Sequence, residues 1–226
     1  MRLLVCLLAL AFLGARPPLG ETVLDPLERL KLGNARFQAG SSAHFNQDRD
    51  RRLDLARGQH PFALVVGCAD SRVPPEILFD QGLGDLFVVR VAGEVLDDLA
   101  LASVEYAVEH LDVRTIVVLG HERCGAVQAT LEGGELPGHM KYLARAIAPH
   151  VEEAKAQLRG KTGAIPAEIF DQAVLQNVRG VVAGLEECGP ILSALQHTGE
   201  LRIVGARYDL DTGAVEWLEP QPRPRR

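Results

Sequence analysis

Phe62-Ala63-Leu64-Val65-Val66-Gly67-Cys68-Ala69-Asp70-Ser71-Arg72-Val73-Pro74-Pro75-Glu76 decides how this chain is read: an apolar run, a polar turn, then a proline pair that opens a helix. Thr115-Ile116-Val117-Val118-Leu119-Gly120-His121-Glu122-Arg123-Cys124-Gly125 repeats the apolar run, the polar turn and the helix start, without the prolines. Each apolar run reads as a buried strand, and each is followed by a helical pattern. In open α/β sheets, sites form in the crevice beyond the carboxyl ends of the strands. Two adjacent strand ends bring Cys68, His121 and Cys124 together. Two thiolates and one imidazole make a three-ligand zinc set with a fourth position left for water, which is a catalytic pattern rather than a structural one.

Working outward, residues 24–37 carry leucines at helical spacing, and 40–52 are polar and read as a surface loop, with a short helix expected over 53–57. Residues 86–91 form the next expected strand, 99–111 a helix, and 124–131 another helix stopped by Gly133-Gly134. The chain then turns mostly helical, over 138–158, 167–187 and 191–197. Residues 201–208 and 214–218 flank Asp211-Thr212-Gly213, a hairpin signal. Alternating strands and helices imply an α/β fold: a central, mostly parallel β-sheet flanked by helices, with an N-terminal helical arm and a C-terminal hairpin. Nothing divides residues 21–219, which read as one domain, and 220–226 read as a disordered tail.

The 226 residues are 47% apolar and 24% charged, which fits one globular domain and excludes a disordered chain. Residues 1–20 differ: Arg2, an apolar run over 3–13, then small residues at Gly14-Ala15. That is the pattern of a secretory signal peptide, too short in its apolar part to span a bilayer, and it implies export, with the periplasm as the expected address. Without this segment, which holds Arg2 and Arg16 and no acid, 22 basic residues face 30 acidic ones, a net charge of −8. Such a surface does not suit nucleic acid. No later segment is apolar and long enough to insert stably in a membrane. Three cysteines remain in the exported chain, where a Cys68–Cys124 disulfide with Cys188 free is the competing structural reading. Cys188 has no neighbouring His or Cys and reads as a small buried residue.

His-x-x-Cys at a helix start lets both side chains reach one ion, and a helix N-terminus favours the anionic thiolate of Cys124. Asp70 and Arg72, at alternate positions of an extended turn, can face the same way and pair. Arg72 then keeps Asp70 ionised and off the metal, free to accept a hydrogen bond from the nucleophile. Helix capping is the bland reading; it suits Ser71 better than the Asp70–Arg72 pair.

The sequence resembles the β-class carbonic anhydrases. Three stretches carry the resemblance: Cys68-Ala69-Asp70-Ser71-Arg72-Val73-Pro74; Gly84-Asp85-Leu86-Phe87-Val88-Val89-Arg90 with Ala92-Gly93; and Gly120-His121-x-x-Cys124-Gly125. Weaker agreement runs from Gly33-Asn34-x-Arg36-Phe37 to the terminal hairpin. The resemblance implies reversible hydration of carbon dioxide to bicarbonate and a proton by zinc-bound hydroxide. One zinc ion per chain is held by Cys68, His121 and Cys124, beside an Asp70–Arg72 dyad. It also implies a homodimer, often paired into a tetramer. Gln59 stands where plant-like members place an active-site glutamine, which points to the open form of the site, whereas in other relatives the aspartate closes onto the metal. Phe87 and Tyr106 match positions that line the substrate cleft. Departures are Ala69, Val91 and Glu94. Glu94 near the cleft rim affects substrate access or proton transfer, or is simply solvated.

Two further readings use the same residues. One is hydrolysis of COS or CS2 on this scaffold, and the other is zinc binding without catalysis. A thiol-redox protein lacks support, because Cys68 and Cys124 do not have Cys-x-x-Cys spacing. Ligand charge gives one prediction. Two thiolates cancel the formal charge of Zn²⁺, so bound water is acidified less than in a three-histidine site, where its pKa is about 7. Stopped-flow rates should therefore rise from pH ~6.5 into the mildly alkaline range. A profile already on its plateau at pH ~6.5 would contradict the charge argument.

Overall fold

The computed structural model describes residues 16–17, 19–22, 24–158 and 166–219. Most of the expected signal segment and all of 220–226 lie outside the described residues. In chain order come α1 (Leu19–Thr22), α2 (Pro26–Gln38), α3 (Arg49–Leu55), β1 (Ala63–Gly67), α4 (Pro75–Leu78), β2 (Leu86–Arg90) and a 3₁₀ turn (Ala92–Glu94). Then follow α5 (Asp98–His110), β3 (Thr115–His121), α6 (Gly125–Glu132), α7 (Met140–Leu158), α8 (Pro166–Glu187), α9 (Ile191–Thr198), β4 (Arg202–Tyr208) and β5 (Val215–Trp217).

The sheet runs β2-β1-β3-β4-β5, parallel through its first four strands, with β5 antiparallel to β4. Every residue of β1 and β3 is buried, which is why both read as continuous apolar runs. Alternation along the strands feeds two cores. Ala63, Val65, Val117 and Leu119 face one side with Leu30 of α2 and Ile147 of α7. Leu64, Val66, Ile116 and Val118 face the other with Val104 of α5 and Leu192 of α9. Each such side chain contributes about 1.5–3 kcal/mol by leaving water. α8 contributes to both cores, Ala173 to the first and Val178 to the second.

The helical arm is locked onto the rest of the fold through α2. Asp25 caps α2 by accepting from the Leu27 N–H at 3.0 Å. Gly33 sits so close to α4 that a Cβ there would lie 1.8 Å from the Phe79 carbonyl oxygen. Next to it, Asn34 donates to the carbonyls of Leu78 (3.1 Å) and Gly213 (2.9 Å) and accepts from the Val215 N–H (2.9 Å). One residue of α2 thus ties the arm to both α4 and the C-terminal hairpin.

Three local expectations are corrected. Residues 49–52 are helical rather than loop: Asp48 accepts from the Arg51 N–H at 2.7 Å and starts α3 four residues before the expected Leu53. β3 continues through His121, because Gly120 and His121 still pair with Arg207 and Tyr208 of β4. Ser71 does not cap α4, which begins at Pro75 with no side-chain cap; the turn before it is closed by Asp70, which accepts from the Arg72 N–H at 2.9 Å.

Candidate metal centre

β1 and β3 are adjacent and parallel, with Gly67 opposite Leu119, so their carboxyl ends open on the same edge. Cys68 leaves β1 there, His121 is the last residue of β3, and Cys124 occupies the N-cap of α6. Between the last two, Arg123 takes a left-handed conformation (φ 51°), which swings the chain from strand into helix and lets positions three apart face one point. On its outer side Arg123 pairs with Asp211 at 2.8 Å. The candidate ligand atoms of Cys68, His121 and Cys124 all lie within 4.8 Å of one another, and all three residues are buried.

The chemistry of the donors fits a thiophilic divalent ion. His121 Nδ1 lies 2.8 Å from the Glu122 carbonyl, which can only accept, so the ring proton sits on Nδ1 and the Nε2 lone pair is free. Nε2 is fully buried and has no hydrogen-bond partner. An orphaned imidazole nitrogen aimed at two free thiols is what a metal ligand set looks like. The two thiols share a proton: hydrogen bonding from Cys124, together with the amides of Gly93 and Asp70, pushes Cys68 down. The same bond and burial push Cys124 up.

Two amides point at Cys68 Sγ, from Asp70 at 3.4 Å and Gly93 at 3.3 Å. The Asp70 carboxylate is gripped by Arg72 in a fork: Nε to Oδ1 at 2.9 Å and Nη2 to Oδ2 at 2.7 Å. Arg72 also donates to the Arg123 carbonyl at 3.3 Å, which links the two strand-end turns. The guanidinium holds the Asp70 carboxyl well below the usual carboxylate range, so it remains ionised through the working pH range. Its Oδ2 stands 3.9 Å from His121 Nε2, beside the ligands but turned toward arginine.

The structure brings Cys68, Asp70, Arg72, His121 and Cys124 into one group. Phe87 and Tyr106 pair with each other, ring centroids 6.3 Å apart, where β2 meets α5. Gln59 is exposed, in a surface cleft shared with Leu55, Leu83 and Gly84. Glu94 is neither at a rim nor solvated. It is 1% exposed, and burial pushes its carboxyl up to about 7 despite a hydrogen bond from Asn177. Sequence reasoning also gave no role to Arg90, whose guanidinium donates to the carbonyls of Cys68 (2.8 Å) and Asp70 and so shapes the turn between them. Its place at the end of β2, opposite Gly67, is the signal that was available. Cys188 is half-buried and lies 4.0 Å from Glu105, away from this group. Glu122, Asp209 and Asp211 also converge, but Arg123 and Arg207 pair with Glu122 and Asp211 and offset part of their charge.

A parallel sheet presenting two thiols, an imidazole and an ionised carboxylate at neighbouring strand ends defines a metal-dependent α/β enzyme. Comparison with known proteins makes the class specific. Residues 63–215 match the family model described as carbonic anhydrase. Carbonic anhydrase 2 of Mycobacterium tuberculosis is 46% identical over 188 residues, covering 81% of this chain and 87% of that protein. The carbonic anhydrase of Mycolicibacterium smegmatis is 44% identical over 83% of this chain and 89% of its own length. Among solved structures, a tetrameric β-carbonic anhydrase of Sordaria macrospora superposes with a TM-score of 0.69 at 28% identity, covering 83% of this chain and 94% of that one. The Coccomyxa β-carbonic anhydrase, solved with acetazolamide, gives 0.64 at 31% identity, over 85% of this chain and 84% of its own. The chain belongs to the carbonic anhydrase family, in its β class.

Proposed function

We propose that this chain hydrates carbon dioxide reversibly to bicarbonate and a proton, with one zinc ion per chain held by Cys68, His121 and Cys124. The observation that carries the reading is the buried, unpartnered His121 Nε2 facing two thiols beside an ionised carboxylate. When bound, zinc supplies Lewis acidity that makes a water molecule nucleophilic near neutral pH. The protein does the rest. Asp70 accepts a hydrogen bond from the attacking oxygen and aims its lone pair at the carbon of carbon dioxide. Arg72 keeps that carboxylate charged and turned away from the ligand cluster, which supports the open form of the site. The Glu122 carbonyl fixes the imidazole, and the amides of Gly93 and Asp70 fix Cys68. Phe87 and Tyr106, paired at a centroid distance of 6.3 Å, are proposed as cleft residues on the family resemblance alone.

The test is carbon dioxide hydration by stopped flow with zinc content measured on the same sample. Activity at one zinc per chain is expected, and stoichiometric zinc without hydration would leave only zinc binding or COS/CS2 hydrolysis.

Export through cleavage of the leader within residues 15–21 belongs to the same proposal, supported by the Arg2 and apolar pattern of the first twenty residues. The address proposed is the periplasm. Among the described residues no helix is long and apolar enough to cross a membrane. Assembly as a homodimer or homotetramer is supported by exposed apolar side chains such as Leu53, Ile77 and Leu83. Native mass spectrometry of protein from the periplasmic fraction should give a trimmed chain in an even-numbered oligomer. A full-length monomer would contradict both statements.

A further inference from the structure

The 3₁₀ turn beside the metal centre has an unusual backbone. Two successive residues, Gly93 (φ 67°) and Glu94 (φ 46°), are left-handed. Glycine adopts that conformation freely, but glutamate does so only when its surroundings hold it there. A side chain at Gly93 would also be crowded, since a Cβ would lie 2.8 Å from Ile147 Cδ1 and 3.1 Å from Ala126 Cβ. The conformation turns the Gly93 N–H onto Cys68 Sγ. From the opposite side, Asn177 of α8 holds the same turn. Asn177 is 1% exposed, and its Nδ2 donates both hydrogens, one to the Gly93 carbonyl and one to Glu94 Oε1, each at 2.8 Å. Gly93 therefore donates to a candidate ligand through its N–H and is gripped by α8 through its C=O. Hydration chemistry centred on Asp70 makes no use of either Asn177 or Glu94.

We propose that Asn177 and Glu94 are a positioning pair for the metal centre, holding the 92–94 turn so that the Gly93 amide stays directed at the Cys68 sulfur. Partners outside the ligand set fix ligand orientation and metal affinity in this way. Asn177 acts from α8, which packs against both cores, so the rigidity of that helix is delivered through the turn to one sulfur atom. The inference rests on the zinc reading above.

The test follows zinc release to an excess of chelator, together with the thiolate-to-cobalt charge-transfer band of the Co²⁺-substituted protein. Asn177→Ala should release zinc about tenfold faster or more and shift that band, because Cys68 loses its fixed N–H. Glu94→Ala, which removes one of the two anchors, should move both readouts in the same direction by less. Glu94→Gln keeps an oxygen acceptor for Asn177 and should restore wild-type release and the wild-type band. A folded Asn177→Ala protein with unchanged release and band would overturn the proposal. So would Glu94→Gln behaving like Glu94→Ala, which would assign the effect to charge instead of the hydrogen bond. If Asn177→Ala does not fold, the Glu94 pair of variants makes the same decision. A wild-type chain that takes up no zinc sinks the proposed function as well, whereas normal wild-type zinc with unaffected variants sinks this inference alone.

Discussion

Asp70→Ala should retain zinc and lose about 10²–10³-fold in kcat/KM for carbon dioxide hydration, the range expected when a positioned acceptor of a proton or hydrogen bond is removed. The carboxylate has no ligand role in the arrangement seen here: both oxygens are engaged by Arg72, and Oδ2 stays 3.9 Å from His121 Nε2. Its removal therefore leaves Cys68, His121 and Cys124 in place. The ion pair is partly open to water, with the Arg72 side chain 50% exposed, so stability should change little. Because arginine depresses the Asp70 pKa, what stability the pair does add is present above the ordinary carboxylate pKa and is lost only as pH falls through the lowered one. At neutral pH the variant should melt close to wild type while its rate collapses. Zinc-loaded Asp70→Ala with kcat/KM within about twofold of wild type would remove Asp70 from the mechanism.

His121→Ala should cost the metal itself. The imidazole is fully buried, its tautomer is set by the Glu122 carbonyl, and its free nitrogen completes a set of three protein donors among the described residues. Replacing a partner of a ligand typically weakens metal binding about 10–100-fold, so losing a ligand should exceed that and leave below about 0.1 zinc per chain after dialysis against chelator. Carbon dioxide hydration should fall with the zinc. The cavity left by the ring should also lower stability by about 2–4 kcal/mol, readable as a drop in Tm. Metal analysis showing one zinc per chain in this variant would mean that His121 is not a ligand.

Much of this arrangement is legible in the sequence because its strands are apolar from end to end. Leu64, Val65 and Val66, and Ile116, Val117 and Val118, have both faces covered, so no polar alternation obscures them. The ligand group is legible because its members sit directly after those runs. α3 escapes the same reading because Arg49, Asp50, Arg51 and Arg52 carry no apolar period, and the helix is specified by the Asp48 cap instead. Arg90 and Glu94 escape it for another reason. The role of each depends on partners created by tertiary structure. Arg90 finds its carbonyls through the pairing of β2 with β1, and Glu94 is buried by Asn177, 83 positions further along. A charged residue in a linear sequence looks solvated until the element that covers it is known.

The ligand set is divided between β1 and the β3–α6 junction, with Cys68 and Cys124 fifty-six positions apart. Before the two strands pair, no local segment holds more than the His121 and Cys124 half of the site. The complete three-ligand set thus exists only once β1 and β3 have paired, unlike in small zinc modules, whose ligands arrive together on a short loop. A zinc ion held as proposed would join β1 to the β3–α6 junction and so bridge a long chain segment. Under the proposed export, a chain crossing the membrane in extended form would carry no assembled three-ligand site and would complete it on the far side.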